Sequence, residues 1–118
     1  MLVTVRTDAA EPPYEQIRVQ VRDAVRSGAL AAGTKLPTVR RLAEELGLAV
    51  NTVARAYREL ESDGVIETRG RNGSFVRAQG DATDRAVQDA ARVYAETARR
   101  LGVDTQTARQ YVEAALRD

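Results

Sequence analysis

The sequence predicts a mainly α-helical protein with one small β-hairpin, and three observations support that fold class. Apolar residues recur every three or four positions in several stretches, which is the period of an α-helix. Two short runs of β-branched and aromatic residues flank a turn sequence in the middle of the chain. The chain has 118 residues, which allows one core of modest size and little room for a second independent fold.

The first predicted helix covers about residues 13–27. It follows a short stretch in which Val3 and Val5 alternate with polar residues and could form an edge strand. Proline in the first helical turn and glycine just past the last turn favour a helix with these bounds. Its apolar stripe consists of Tyr14, Ile17, Val21 and Val25.

Two more helices are predicted with a very short turn between them. Thr38 is a suitable N-cap for the second helix, and Gly47 is suited to end it. The third helix covers about residues 50–62 and closes at Asp63 and Gly64. Two helices joined by three or four residues that include glycine form a helix-turn-helix. The inner faces carry Val39, Leu42, Ala43 and Leu46 in the second helix and Val53, Ala56, Tyr57 and Leu60 in the third.

A hairpin is predicted after the third helix. The runs 65–68 and 74–76 read as strands, and residues 69–73 (Arg-Gly-Arg-Asn-Gly) join them. The Asn72-Gly73 pair tolerates positive φ and is typical of a hairpin turn. A helix-turn-helix followed by a hairpin is a winged helix, which we assign to a first domain of residues 1–79. We call residues 65–76 the wing.

The rest of the chain, residues 80–118, is called the tail and is predicted to form two helices. Gly102 is expected to end the first, and Asp104 or Thr105 to cap the second. The spacing of the apolar residues is that of a short coiled coil, which predicts burial against the same element of a second subunit. The alternative is packing on the first helix of the same chain. The predicted dimerisation residues are Val87, Ala91, Tyr94, Ala98, Leu101, Tyr111 and Val112.

The composition excludes several classes of function. The chain has no Cys and no His, so it has no thiolate nucleophile, imidazole base or zinc finger. No pair of carboxylates lies in an apolar setting and no phosphate-binding glycine loop is present, so an enzyme is not predicted. No cofactor or metal is expected. No apolar run approaches the roughly 20 residues of a membrane span, and the protein is expected in the cytoplasm.

The basic residues are nearly all arginine, although the net charge is only +1. Asn51, Arg55 and Arg58 lie opposite the apolar stripe of the third helix at 100° per residue. Asparagine can pair with adenine, and arginine with guanine or phosphate, if this helix enters the major groove. The alternative interpretation is an ordinary exposed face on which Arg55 and Arg58 pair with nearby glutamates or face solvent.

The residues together resemble the N-terminal domain of GntR-family transcriptional regulators. The resemblance runs from Tyr14-Glu15-Gln16-Ile17 through Leu36-Pro37-Thr38-Val39-Arg40 and Asn51-Thr52-Val53 to Gly73-Ser74-Phe75-Val76. The short helical tail resembles that of the YtrA subfamily. The resemblance implies a homodimeric repressor that binds an inverted-repeat operator in double-stranded DNA, with a major-groove helix at about 50–62 and a wing tip at 69–73. The resemblance does not indicate whether the protein binds a small-molecule effector.

Carried over by position, the resemblance and the exposed face of the third helix define one set of candidate DNA contacts. The sequence departs from the family pattern in two places. Ala49 and Val50 replace a hydroxyl N-cap and a basic residue, and Ala54 stands where several members have arginine. The candidate DNA-binding residues are Thr38, Arg40, Asn51, Thr52, Arg55, Arg58, Arg69, Gly70 and Arg71.

The sequence therefore predicts a sequence-specific DNA-binding transcriptional regulator. A second hypothesis is a winged helix used as a protein-interaction module that does not bind DNA. Such modules usually present an apolar or acidic third helix, whereas the exposed face here is polar and basic.

Overall fold

The computed structural model describes residues 3–80 and 82–117. Within them, five α-helices and a two-stranded antiparallel sheet follow in the predicted order, and the fold class is confirmed. Residues 1, 2, 81 and 118, which belong to the predicted divisions 1–79 and 80–118, lie outside the described residues. The elements are α1 (Pro13–Ser27), α2 (Val39–Leu46), α3 (Val50–Ser62), β1 (Ile66–Thr68), β2 (Ser74–Val76), α4 (Ala82–Arg100) and α5 (Thr105–Leu116).

The capping residues explain where the first three helices begin and end. α1 begins at Pro13, since the first helical turn needs no N–H from that position. The Thr38 hydroxyl caps α2 by accepting a hydrogen bond from Arg41 N at 3.1 Å. α3 begins after Ala49 with no side-chain cap, as its missing hydroxyl implied. The predicted bounds of all three helices are confirmed.

The core lies between α1, α2, α3 and the hairpin. The stripes predicted for the three helices meet there, and Ile17, Leu42, Val53 and Leu60 are completely buried. Burying one such side chain contributes about 1.5–3 kcal/mol, so this packing holds α3 in place relative to α1 and α2. The remaining buried residues of the core are Val3, Val21, Val25, Leu36, Ala43, Ala56, Tyr57, Val65, Ile66 and Val76.

The segment before α2 pairs with β2 along the edge that faces away from β1. β1 and β2 pair with Ile66 opposite Val76. On the other side of β2, Gly33 N donates to Val76 O and Leu36 N donates to Ser74 O, each at 2.9 Å. This single short pairing leaves no alternating pattern of apolar and polar residues, so the sequence does not indicate it.

The turn of the wing is built differently from the predicted Asn-Gly turn. Residues Gly70–Asn72 form a short 3₁₀ turn. Positive φ occurs at Gly70 (54°) and Gly73 (102°), whereas Asn72 has negative φ. The prediction is therefore right for Gly73 and wrong for Asn72, because glycines occupy both left-handed positions without a Cβ penalty.

The predicted edge strand at Val3 and Val5 is wrong. The segment belongs to no strand, although Val3 is buried in the core. Its backbone is held by two glutamine side chains of α1. Gln20 accepts from Thr4 N at 3.0 Å and donates to Thr4 O at 2.7 Å, and Gln16 does the same for Arg6 at 2.8 Å each. A side-chain amide thus takes the place of a neighbouring strand.

The tail forms the predicted pair of helices. Asp104 caps α5 by accepting from Thr107 N at 2.8 Å, and the Tyr94 hydroxyl donates to Ala108 O at 2.7 Å across the pair. The Cα radius of gyration is 16.3 Å, against about 13.5 Å for a compact domain of this length. The tail therefore extends away from the winged helix.

The apolar side chains of the tail are not buried on α1, which was the alternative packing. Val87 and Leu101 are 65% and 64% exposed, and Tyr111 is 60% exposed. No described helix is both long and apolar enough to cross a membrane.

Candidate nucleic-acid interface

The start of α3 is presented at the surface by α2 and the turn between them. Leu48 N donates to Ala43 O at 2.9 Å, which folds the turn back on α2. At the other end of α2, the Tyr57 hydroxyl donates to Pro37 O at 2.7 Å. Burial raises the pKa of Tyr57, and the nearby Glu45 carboxylate adds to the effect, so the phenol stays a hydrogen-bond donor.

The first turn of α3 offers small hydrogen-bonding groups and one apolar side chain. Asn51 is exposed and Thr52 is half-buried. Val50 is apolar and 46% exposed. Thr38 is exposed, but its hydroxyl already accepts the capping bond from Arg41 N. A hydroxyl can still donate while it accepts, so Thr38 keeps one bond for a phosphate.

The predicted arginines fall into two groups according to their partners. The Arg55 guanidinium lies 3.7 Å from the centre of the Tyr14 ring, and its Nε is 3.2 Å from Glu59. Arg69 binds Glu67 at 2.6 Å and lies 4.3 Å from the Phe75 ring centre. Both guanidinium groups are therefore held by the protein itself.

The second group is exposed and unpaired. Arg40, Arg58 and Arg71 form no ion pair with any residue in 3–80 or 82–117. They lie on α2, on α3 and in the turn of the wing. The three elements that would approach a duplex thus each carry one arginine available for a phosphate or a base edge.

Lys35 is a basic residue of this surface that sequence reasoning did not select. It lies in the segment that pairs with β2, and its Cε would be 3.2 Å from a Cβ placed on Gly73. The side chain therefore runs along the base of the wing with an exposed ammonium group. No periodic pattern could show this, since the contact joins two loops 38 positions apart.

The predicted dimerisation residues differ in their surroundings within the chain. Tyr94, Ala98 and Val112 line a hollow of about 370 Å³ between α4 and α5. Val87, Leu101 and Tyr111 face outward with more than half of their surface exposed. Ala91 lies instead beside a second cleft, of about 830 Å³, between α4 and the loop that follows α1.

Nothing in the described part of the chain suggests a metal centre. No three or more Asp and Glu side chains there are grouped closely enough to hold an ion.

A winged helix that presents Asn and Thr at the start of its third helix, with unpaired arginines on the second helix, the third helix and the wing, has the features of a class of DNA-binding proteins. Residues 13–76 match the sequence profile described as bacterial regulatory proteins, gntR family. The chain belongs to the GntR family. It is a DNA-binding transcriptional regulator and not an enzyme.

Relatives extend the similarity into the tail. The HTH-type transcriptional regulator Rv1152 of Mycobacterium tuberculosis is 53% identical over 108 residues, which cover 92% of this chain and 88% of that protein. The HTH-type transcriptional repressor YtrA of Bacillus subtilis is 35% identical over 82 residues, or 70% of this chain and 63% of the relative. Among solved structures, YtrA from Sulfolobus acidocaldarius, a GntR-family transcription factor, is similar with a TM-score of 0.63 and 28% identity, over 83% of this chain and 97% of that one.

Proposed function

We propose that this regulator is a repressor that binds an inverted-repeat operator as a homodimer. The observation that carries the proposal is the set of exposed, unpaired arginines Arg40, Arg58 and Arg71, which lie on α2, on α3 and in the turn of the wing. The relative named a repressor supports the sign of regulation. Because a DNA-binding regulator of this family acts on chromosomal DNA, we propose a cytoplasmic location.

In the proposed complex α3 lies in the major groove. Its first residues meet the base edges, as in other helix-turn-helix proteins. Asn51 would bind adenine, and Val50 would contact a thymine methyl group. Arg40 and Arg58 would bind phosphates or guanine and fix the register of the helix.

The wing is proposed to lie on the adjacent groove or backbone. Gly70 and Gly73 carry no side chain, so the backbone of the turn can approach a phosphate closely. Arg71 supplies an unpaired guanidinium there, and Lys35 supplies a second charge at the base of the wing. Arg69 and Arg55 would join the interface only after releasing Glu67 and Glu59.

The division of the chain into a DNA-binding domain (1–79) and a dimerisation segment (80–118) is part of the proposal. The exposed Val87, Leu101, Tyr111 and Leu116 leave large apolar side chains on the tail. Contiguous exposed apolar surface is a property of interaction sites. We propose that a second copy of the chain covers this apolar surface. Two winged helices joined through their tails would provide the two α3 helices that an inverted repeat requires.

The experiment that tests the proposal is selection of bound sequences from a random pool of DNA duplexes. We expect a palindromic sequence with half-sites about one helical turn, or 34–36 Å, apart. In a mobility-shift titration the log of the affinity should then fall linearly with the log of salt concentration. Selection of a single, asymmetric site would contradict the inverted repeat. A monomer in light scattering would contradict the homodimer.

A further inference from the structure

Two side chains that lie one turn apart on the same face of α4 contact the linker and the winged helix in the described part of the chain. These are Gln88 and Arg92, at spacing i and i+4. Both are half-buried, while most of the residues around them in α4 are exposed. We call these two residues and their contacts the α4 attachment.

Gln88 holds the linker that enters α4. Its amide donates to Gln79 O at 2.6 Å and accepts from Gln79 N at 3.3 Å. The Gln79 side chain in turn donates to Gly64 O at 3.2 Å and to Arg77 O at 2.8 Å. The first turns of α4 are thereby connected to the end of α3 and to the strand that closes the wing.

Arg92 forms the second contact, at the edge of β2 that faces away from β1. Its side chain covers Gly33, so that a methyl group there would overlap Arg92 Cδ and lie 3.3 Å from Cγ. Gly33 itself donates to Val76 O, and the Arg92 guanidinium is oriented by Glu96 at 3.1 Å. The absence of a Cβ at Gly33 allows α4 to approach this closely.

We propose that Gln88 and Arg92 are positioning residues that determine the operator half-site spacing this regulator accepts. The proposal rests on the homodimer proposed above. If the two copies join through the tail, the angle between α4 and the winged helix sets the distance and rotation between the two α3 helices. Two contact points one turn apart hold that angle, which one point alone would leave free to rotate.

The geometry of DNA explains why this angle has consequences. Inserting one base pair moves a half-site by about 3.4 Å along the axis and turns it by about 35°. If the angle between α4 and the winged helix is fixed, the dimer fits one half-site spacing. If the angle varies, the dimer fits several spacings, and bivalent binding increases its affinity less at each of them.

The test compares wild type with the double variant Gln88→Ala/Arg92→Ala on operators whose half-sites are moved by one or two base pairs. The operator is the sequence selected above. Wild type should lose roughly tenfold in affinity per base pair of displacement, and the double variant less than about threefold. An unchanged spacing profile in a folded, dimeric double variant would overturn the proposal. A wild type that binds all spacings equally would overturn it too.

A matched pair of glycine variants isolates the Arg92 contact. Gly28 and Gly33 have nearly the same φ, 84° and 85°, but a methyl group on Gly28 meets no atom within 4 Å. Both substitutions put a Cβ on a residue with positive φ, and only Gly33→Ala displaces Arg92. We expect Gly33→Ala to shift the preferred spacing and Gly28→Ala to leave it unchanged. Combining Gly33→Ala with Arg92→Ala should remove the displacement, and equal profiles for both glycine variants would count against the contact.

A distance measurement tests the α4 attachment without an operator. The chain has no cysteine, so Ser62→Cys places one spin label per subunit at the exposed end of α3. Pulsed electron spin resonance of the dimer should give a narrow distance distribution, which broadens in the double variant. A dimer with the same narrow distribution in both would overturn the positioning role alone, whereas a monomer would overturn the proposed homodimer.

Discussion

At the scale of the residue, the arginines differ mainly in whether the protein already uses them. Arg55 is stacked on Tyr14 and paired with Glu59, whereas Arg40 and Arg58 have no ion-pair partner in the described chain. An exposed ion pair contributes only about 0–1 kcal/mol, so Arg55 could exchange Glu59 for a phosphate at little cost. The unpaired arginines need no such exchange, and we expect them to contribute more to affinity.

Arg40→Ala should therefore weaken operator binding roughly tenfold and reduce the salt dependence by about one counterion per subunit. Fluorescence anisotropy titrations at several salt concentrations measure both. Arg6→Ala is the matched control, because it removes the same charge from an exposed arginine outside the proposed interface. Equal effects of the two substitutions would mean that only net charge matters.

Asn51→Ala should act differently, by relaxing the preference at one base position. Losing a bidentate contact with adenine costs about 1–3 kcal/mol of discrimination, while affinity for the other bases stays nearly the same. Competition titrations with operators changed at single positions measure this. If the full preference persists at every position, Asn51 does not contact a base.

At the scale of the element, one buried hydroxyl connects α3 to the start of α2. Tyr57→Phe removes the bond to Pro37 O and leaves that carbonyl without its partner, which should destabilise the protein by about 1–2 kcal/mol. Urea unfolding followed by circular dichroism measures the change. Tyr111→Phe, at a position 60% exposed, should change the free energy of unfolding by much less. The same value for both variants would show that the Tyr57 bond contributes nothing net.

The capping residue of α5 predicts a dependence on pH. Hydrogen bonds from the Thr107 backbone and hydroxyl lower the pKa of Asp104. The cap is therefore fully present above the pKa of the unfolded chain, about 3.9, and is lost as pH falls through the lower folded value. Asp104→Asn still accepts the bond from Thr107 N but does not titrate. Thermal unfolding of the two proteins should diverge only below about pH 4, and parallel curves down to pH 2 would contradict the role.

How far the sequence reveals an element depends on how local its cause is. Thr38, Pro13 and the apolar stripes act within a few residues, and they predicted α1, α2 and α3 to the residue. The Gln20 bonds to Thr4 and the stacking of Arg55 on Tyr14 join residues that are 16 and 41 positions apart. No periodicity encodes such pairs. This is why the predicted N-terminal strand was wrong and why the stacking of Arg55 on Tyr14 was not predicted.

At the scale of the whole molecule, the chain is a winged helix with an extended pair of helices whose apolar surface is uncovered. A solvent-exposed leucine is ordinary, but Val87, Leu101, Tyr111 and Leu116 together make the tail the most apolar part of the described surface. The proposed dimer would bury it.

Leu101→Asp should dissociate the dimer and lower operator affinity by about a hundredfold or more, since each half-site would then be bound without the effective concentration that linkage provides. Light scattering and mobility shift measure the two effects. Val93→Asp is the control on the same helix, because Val93 is 52% exposed but lies outside the predicted seam. Dissociation by both variants, or by Val93→Asp alone, would place the seam on another face of α4.

The glutamine bonds that hold the N-terminal segment and the linker before α4 have a further consequence. Gln16, Gln20, Gln79 and Gln88 use neutral amides, which neither titrate nor respond to ionic screening. The proposed contacts with DNA are ionic and weaken as salt rises. Salt should therefore release the operator while the internal architecture of the regulator stays intact, so the protein that leaves the DNA is already arranged to bind it again.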